Sequence, residues 1–90
     1  MIARLKIDNN SFLSRFEASV NGRLAVLDYR IEQNTILLLF VKVPEEEQGR
    51  GIASRLTQGA LRFARDNGLT VILHCPFIST YMRSHPEQLR

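Results

Sequence analysis

Residues 43–53 have the types and spacing of an anion-binding turn. Pro44 closes an apolar run, and Gly49 and Gly51 precede an amphipathic helical pattern. Without a Cβ, the backbone N–H groups can come within hydrogen-bonding distance of phosphate oxygens, and the helix N-terminus adds its positive dipole. The spacing is neither the dinucleotide motif nor the P-loop of nucleotide hydrolases. We expect a pyrophosphate-like anion here; the alternative is a glycine-containing helix start that binds nothing.

Cys75 is a second candidate for chemistry. It ends an apolar stretch and precedes Pro76, a residue that suits the first position of a helix. A helix N-terminus favours the thiolate, which is the nucleophilic form of cysteine. The alternative is a buried structural cysteine, because free cysteines are among the most buried residue types. As the single cysteine of the chain, Cys75 excludes an internal disulfide and agrees with a reducing compartment.

Tyr81 and His85 lie one helical turn apart on the same predicted face. A tyrosine hydroxyl can give a proton to a leaving group. The alternative for Tyr81 is a ring packed in the core with its hydroxyl at the surface. The alternative for His85 is a helix-end residue that interacts favourably with the carbonyl dipoles.

An antiparallel meander is predicted for the first part of the chain. Residues 1–9 are a candidate edge strand, and apolar and polar residues alternate from Arg15 to Val20, as in a half-buried strand. Asn21-Gly22 predicts a type I′ hairpin turn, which needs positive φ at both central residues. The returning strand carries one apolar face, formed by Ala25, Leu27, Tyr29 and Ile31.

A βαβ unit is predicted to follow. Residues 36–43 are almost continuously apolar, which indicates a central strand buried on both faces. A helical stripe runs over residues 49–67 and ends at Gly68, where a left-handed cap is expected. Residues 69–73 predict a parallel strand, and Pro76–Ser84 a last helix ended by His85-Pro86. The order β-β-β-α-β-α defines an α+β fold with a mixed sheet.

Length and composition favour one small domain over residues 1–90. The chain is 44% hydrophobic and 23% charged, as in ordinary globular proteins. Its net charge of +3 is dispersed and interrupted by Glu45–Glu47, which leaves a small nucleic-acid-binding domain as a weaker alternative. Without a bilayer-length apolar run or a signal-peptide pattern, we expect a cytoplasmic protein with no membrane contact. No Cys/His spacing predicts a metal site.

The glycine turn resembles the Q/R-x-x-G-x-G/A loop of the GNAT superfamily of acyl-CoA-dependent N-acetyltransferases. Gln48, Gly51 and Ala53 occupy its defining positions. The tail from Cys75 to Pro86 looks like that of a subgroup of very small GNAT-like proteins, with C-x-[FY]-x-x-x-Y followed by H-P. The resemblance spans residues 16–87, and two motifs joined by a helix of the right length are far more specific than either alone.

The resemblance implies acetyl-CoA as the cofactor. Backbone groups of Val41 and Val43 would pair with the pantetheine arm as though it were an extra strand. Arg50 and Arg55 could reach the phosphates, although a solvated helix face is the alternative for both. The loop that would hold the pyrophosphate comprises Gln48, Gly49, Arg50, Gly51, Ile52 and Ala53.

The resemblance also implies acyl transfer to an amine. Tyr81 matches the tyrosine that many GNAT enzymes use to protonate the departing CoA thiolate. Cys75 would be a candidate for transient acyl transfer or a thiol beside the cofactor. Backbone N–H groups of the strand from Val41 to Val43 would polarise the thioester carbonyl. The acceptor amine is undefined, and a protein or peptide would qualify.

Three departures from the family pattern bear on the acceptor. The helix pair that walls the acceptor site in larger GNAT enzymes is missing, which leaves an open groove that a homodimer or a macromolecular acceptor could complete. Phe40, Val41 and Lys42 stand where the subgroup has a His-Thr pair and an acidic residue, so no carboxylate is available there. Leu73 replaces a favoured proline near Cys75. The alternative function is therefore a non-catalytic acyl-CoA-binding or regulatory module.

Overall fold

A computed structural model describes residues 5–84 as a five-stranded sheet with helices. The strands are β1 (Asp8–Asn10), β2 (Arg15–Val20), β3 (Arg23–Glu32), β4 (Thr35–Lys42) and β5 (Thr70–Leu73), and they lie in the sheet in this order. The helices are α1 (Ile52–Asp66) and α2 (Pro76–Ser84), and a 3-10 turn (Glu45–Glu47) precedes α1. Strands β1 to β4 are antiparallel, whereas β5 pairs parallel to β4. The predicted mixed α+β fold is confirmed, although four strands rather than three precede α1, and no helix separates β1 from β2.

The β2–β3 hairpin forms as its turn residues predict. Asn21 and Gly22 have φ of 51° and 76°, so both central residues are left-handed, as a type I′ turn requires. The register pairs Phe16 with Leu27, and both side chains are buried. Ile31, predicted to share the buried face of β3, is instead 42% exposed near the end of the strand.

The edge strand is shorter than the sequence pattern predicts. Strand β1 begins at Asp8, whereas Leu5 and Ile7 pack against the core without belonging to a strand. Asn9 is fixed in β1 because its Oδ1 accepts a hydrogen bond from the Tyr29 hydroxyl at 2.6 Å. Residues 1–4 of the predicted strand lie outside the described residues.

Helix α1 begins later than predicted because glycine conformation delays it. Gly49 and Gly51 have φ of 80° and 81°, which a right-handed helix cannot contain, and the first helical residue is Ile52. At the other end, Gly68 has φ of 65°, which confirms the predicted left-handed cap. Helix α2 has the predicted bounds, whereas the His85-Pro86 stop lies outside the described residues.

Both helices contribute side chains to one core cluster on a single face of the sheet. The cluster includes sheet residues Phe16, Ala18, Ala25, Leu27, Tyr29, Ile36 and Leu38 and helix residues Ile52, Leu56, Ala60, Leu61, Ala64, Ile78, Tyr81 and Met82.

The opposite face of the sheet, here called the open face, carries Leu24, Val26, Asp28, Phe40 and Ile72. Leu24 and Phe40 are each 46% exposed and Ile72 is 44% exposed. The prediction that β4 is buried on both faces is therefore wrong. An apolar run indicates that a strand is central in a sheet, but only covering helices bury both of its faces.

Candidate functional site

Strand β4 extends beyond its partner β5. The two strands pair from Thr35 with Thr70 to Leu38 with Leu73, and the N–H of His74 then donates to the Leu38 carbonyl at 2.9 Å. From Leu39 onward, no strand among residues 5–84 pairs with this edge of β4. Unpaired strand edges accept extended ligands through main-chain hydrogen bonds.

A β-bulge marks the point where β4 separates from β5. Tyr29 pairs with Leu38 and Asp28 pairs with Phe40, so Leu39 is an extra residue on β4. A bulge turns the backbone and re-aims its N–H and C=O groups. The bulge therefore lies at the inner end of the unpaired edge, where such groups can face a ligand.

A cleft of ≈ 510 Å³ lies between the end of β4, the glycine turn and the starts of α1 and α2. Seven of the predicted cofactor-binding residues line it: Val41, Val43, Gln48, Gly49, Gly51, Ile52 and Ala53. Glu47, Ser54 and Phe77 line it as well and were not predicted. Phe77 occupies the aromatic position of the tail motif, a signal that could have identified it, whereas nothing local marks Glu47 or Ser54.

The N-terminus of α1 contributes backbone donors to the cleft. Gly51 is the N-cap, makes no side-chain cap, and accepts the first helical hydrogen bond from Arg55 N–H at 3.1 Å. The N–H groups of Ile52, Ala53 and Ser54 consequently have no acceptor within the helix. Together with the helix dipole they form a site suited to an anion.

Glu47 connects the glycine turn to the β2–β3 hairpin. Its side chain is 4% exposed, and its carboxylate accepts hydrogen bonds from Asn21 Nδ2 at 3.1 Å and from Arg50 at 2.8 Å. Arg23 forms a further ion pair with it at 3.8 Å. These partners offset the negative charge that Glu47 would otherwise bring to an anion-binding cleft, and they fix the turn against a distant part of the sheet.

The predicted phosphate arginines do not line the cleft. The Arg50 guanidinium is bound to Glu47, and Arg55 lines a second cavity of ≈ 390 Å³ that also contacts Ile7 and Phe63. Gln48, in contrast, supports the cleft directly, because its Nε2 donates to the Val43 carbonyl at 3.1 Å.

The predicted catalytic side chains are buried and do not belong to the lining of the cleft. Cys75 is 5% exposed and Tyr81 is 6% exposed, and neither lines the cleft. Tyr81 stacks on Phe77 with ring centroids 6.5 Å apart, so Phe77 links it to the cleft. His85 lies outside the described residues. The roles of Cys75 and Tyr81 remain predictions.

No group of three or more His, Cys, Asp or Glu side chains among residues 5–84 is arranged to hold a metal ion. In the same range, neither helix has the length and hydropathy needed to span a membrane.

The order of the strands and helices, with the glycine turn after β4, places the chain in the fold class of the GNAT proteins that its motifs resemble. A solved structure agrees with this class. The chain is similar to a GCN5-like protein from Staphylococcus aureus determined by NMR, with a TM-score of 0.74 and 25% identity over 96% of this chain and 85% of that one.

Sequence comparison then gives the family. Residues 15–90 match the family model of the GCN5-related N-acetyl-transferases, and the chain belongs to this family. It is also similar to protein NATD1 of Danio rerio, at 30% identity over 93% of this chain and 79% of the relative. Protein NATD1 of Xenopus tropicalis is 27% identical over 91% of this chain and 78% of its own length.

Proposed function

We propose that this protein is an N-acyltransferase that uses acetyl-CoA and binds it in the cleft. The observation that carries the proposal is that one cleft combines the free edge of β4 with the uncapped N-terminus of α1. CoA has the matching chemistry, because its pantetheine arm is an extended chain of amides and its pyrophosphate is an anion. Membership in the GCN5-related family supports the choice of donor.

In this proposal, the backbone of Val41 and Val43 pairs with pantetheine, and the turn from Gln48 to Ala53 holds the pyrophosphate. Arg50 reaches a phosphate by exchanging its bond to Glu47 for one to the ligand. Arg55 lines the second cavity, so it binds only a phosphate that extends to that side of α1.

The chemical step is attack of a neutral amine on the thioester carbonyl. Backbone N–H groups at the bulged end of β4 stabilise the oxyanion that forms. The C–S bond then breaks, the CoA thiolate takes a proton from Tyr81, and the nitrogen of the new amide gives up its extra proton through solvent, which restores the Tyr81 hydroxyl. Because the Tyr81 hydroxyl oxygen is buried, we expect Phe77 to shift when this proton is transferred. Cys75 would need the same rearrangement to accept an acyl group, since it is buried too.

Thermal unfolding with CoA, acetyl-CoA and ATP tests the cofactor. A ligand at about 100 times its Kd stabilises a protein by about 2.7 kcal/mol, which raises Tm by several degrees in a small domain. We expect both CoA species to raise Tm and ATP to leave it unchanged. No shift with either CoA species would overturn the proposal.

A pair of glycine variants tests the location of the cofactor. Gly51 and Gly22 have similar left-handed φ, 81° and 76°, but Gly22 lies in the hairpin turn and does not line the cleft. Gly51→Trp and Gly22→Trp should each destabilise the fold by about 1–2 kcal/mol through backbone strain. Only Gly51→Trp should abolish the shift that CoA produces. An equal shift in both variants would place CoA elsewhere.

A non-catalytic acyl-CoA-binding module is the second candidate. It is favoured by the burial of Cys75 and Tyr81, neither of which lines the cleft, and by the absence of a carboxylate at Phe40 and Lys42. Incubation with acetyl-CoA and a panel of amines, polyamines and peptides separates the two functions. Release of free CoA that depends on the amine supports the enzyme, whereas CoA binding without turnover supports the module.

A further inference from the structure

We propose that Asp28 on the open face binds the acceptor, and that the acceptor is a linear amine with a second positive charge, such as a diamine or polyamine. This inference rests on the proposed function, because it takes the thioester to lie beside the β4 bulge. It assigns a role to a face of the sheet that contributes nothing to the core.

Asp28 is not hydrogen-bonded to the basic residue that lies opposite it in the sheet. Its Oδ1 is buried and has no hydrogen-bond partner among the described residues. The residue opposite it on β2 is Arg15, the natural counter-ion. Arg15, however, is bound to Glu17 at 2.6 Å, and Glu17 also accepts a hydrogen bond from Asn10. A partly buried carboxylate without a donor is unfavourable, so a cationic ligand placed beside it gains a strong interaction.

The strand register places Asp28 beside the bulged end of β4. Its pairing partner on β4 is Phe40, the residue directly after the bulged Leu39, where β4 separates from β5. A ligand lying along the free edge of β4 would be two strand spacings, about 10 Å, from β3. Asp28 is therefore too far away to deprotonate the attacking amine directly, but it can bind an ammonium at the other end of a short acceptor.

The surface between these two points is apolar. The side chain of Phe40, opposite Asp28 on β4, is 46% exposed, so an aliphatic stem can pack along it. Lys42 lies on the same face beyond Phe40, opposite Val26, and repels a cation on that side. Asp28 therefore supplies a carboxylate on the neighbouring strand that can bind an ammonium, but it does not replace the carboxylate missing from β4 as a base for the attacking amine.

Titration of the full chain with two amines tests the inference. Cadaverine and n-pentylamine share a five-carbon stem and differ in the second ammonium. With CoA present, NMR amide shifts should report cadaverine binding about tenfold tighter than n-pentylamine. Asp28→Asn should remove this preference and leave n-pentylamine binding unchanged. Because Asp28 Oδ1 has no partner to lose, Asp28→Asn should unfold at a Tm no lower than that of the wild type.

Glu32→Gln is the matched control. It also removes a negative charge from the open side of β3, but Glu32 is paired with Arg30 at 3.4 Å and lies at the far end of the strand. This variant should keep the preference for cadaverine. Equal binding of the two amines by the wild type, or loss of the preference in Glu32→Gln to the same extent as in Asp28→Asn, would overturn the inference.

The same titration without CoA separates this inference from the proposed function. Cadaverine binding that depends on Asp28, combined with no CoA-induced change in Tm, would retain the amine site and reject the acyltransferase. A normal CoA-induced shift with no Asp28-dependent preference for cadaverine would retain the acyltransferase and reject the amine site.

Discussion

The two faces of the sheet are similar in sequence but not in environment. On β3, Leu27 is completely buried, while Leu24, three positions earlier on the same strand, is 46% exposed. On β4, Leu38 is completely buried and Phe40 is 46% exposed. Helices α1 and α2 both pack on the first face, and nothing among residues 5–84 covers these exposed side chains. Coverage by helices, rather than the apolar content of a strand, thus decides which face stabilises the fold and which remains available for binding.

The largest expected effect on stability is the difference between truncating Leu27 and truncating Leu24 on β3. Leu27→Ala should lower the free energy of unfolding by about 2–5 kcal/mol, because it leaves a cavity in the core. Leu24→Ala should change it by less than about 1 kcal/mol, because the side chain is already largely hydrated. Urea unfolding of both variants measures the difference. Similar losses in the two would mean that the open face is covered in solution.

A smaller effect is expected at the edge of the cleft, where two adjacent glutamates differ in burial. Glu47 is 4% exposed at its side chain and Glu46 is 62% exposed, although both pair with Arg23. Glu47→Gln should cost about 1–3 kcal/mol, since it weakens charge-assisted bonds to Arg50 and Asn21. Glu46→Gln should cost under about 1 kcal/mol. Chemical denaturation gives both values, and equal costs would show that the Glu47 network does not hold the turn.

The smallest effect concerns the hydrogen bond that holds the edge strand to the covered face. Tyr29→Phe should cost about 0.5–1.5 kcal/mol at neutral pH through loss of the bond to Asn9. Burial raises the pKa of the Tyr29 hydroxyl, so its stabilising contribution is complete below the unfolded value of about 10 and is lost as the pH rises through the folded value. The stability gap between wild type and variant should therefore narrow in alkaline solution. Unfolding midpoints measured from neutral to alkaline pH test this, and a gap that widens would contradict it.

Much of the fold could be predicted because its signals are local. Asn21-Gly22 fixed the hairpin, Gly68 fixed the end of α1, and Pro76 fixed the start of α2. The predicted start of α1 is wrong because helical periodicity continues through Gly49 and Gly51, whereas their left-handed φ delays the first helical residue to Ile52.

The candidate site was less predictable because it depends on contacts between distant residues. Seven of the nine predicted cofactor residues do line the cleft, since they belong to one short motif and the strand before it. Glu47 was missed because its role depends on Asn21, 26 positions away along the chain. The proposed role of Asp28 could not be predicted, because its relation to Phe40 depends on the register of β3 and β4, which includes a bulge that the residue pattern does not reveal.

The free edge of β4 has a consequence for the protein at high concentration. A row of unpaired backbone groups is a template on which an extended segment of another chain can add as a strand, the first step towards aggregation. The segment carries three features that oppose such growth: the bulge at Leu39, the charge of Lys42 and the missing N–H of Pro44. A ligand bound along this edge, as proposed for CoA, would act in the same direction and would keep copies of the chain apart in storage and during purification.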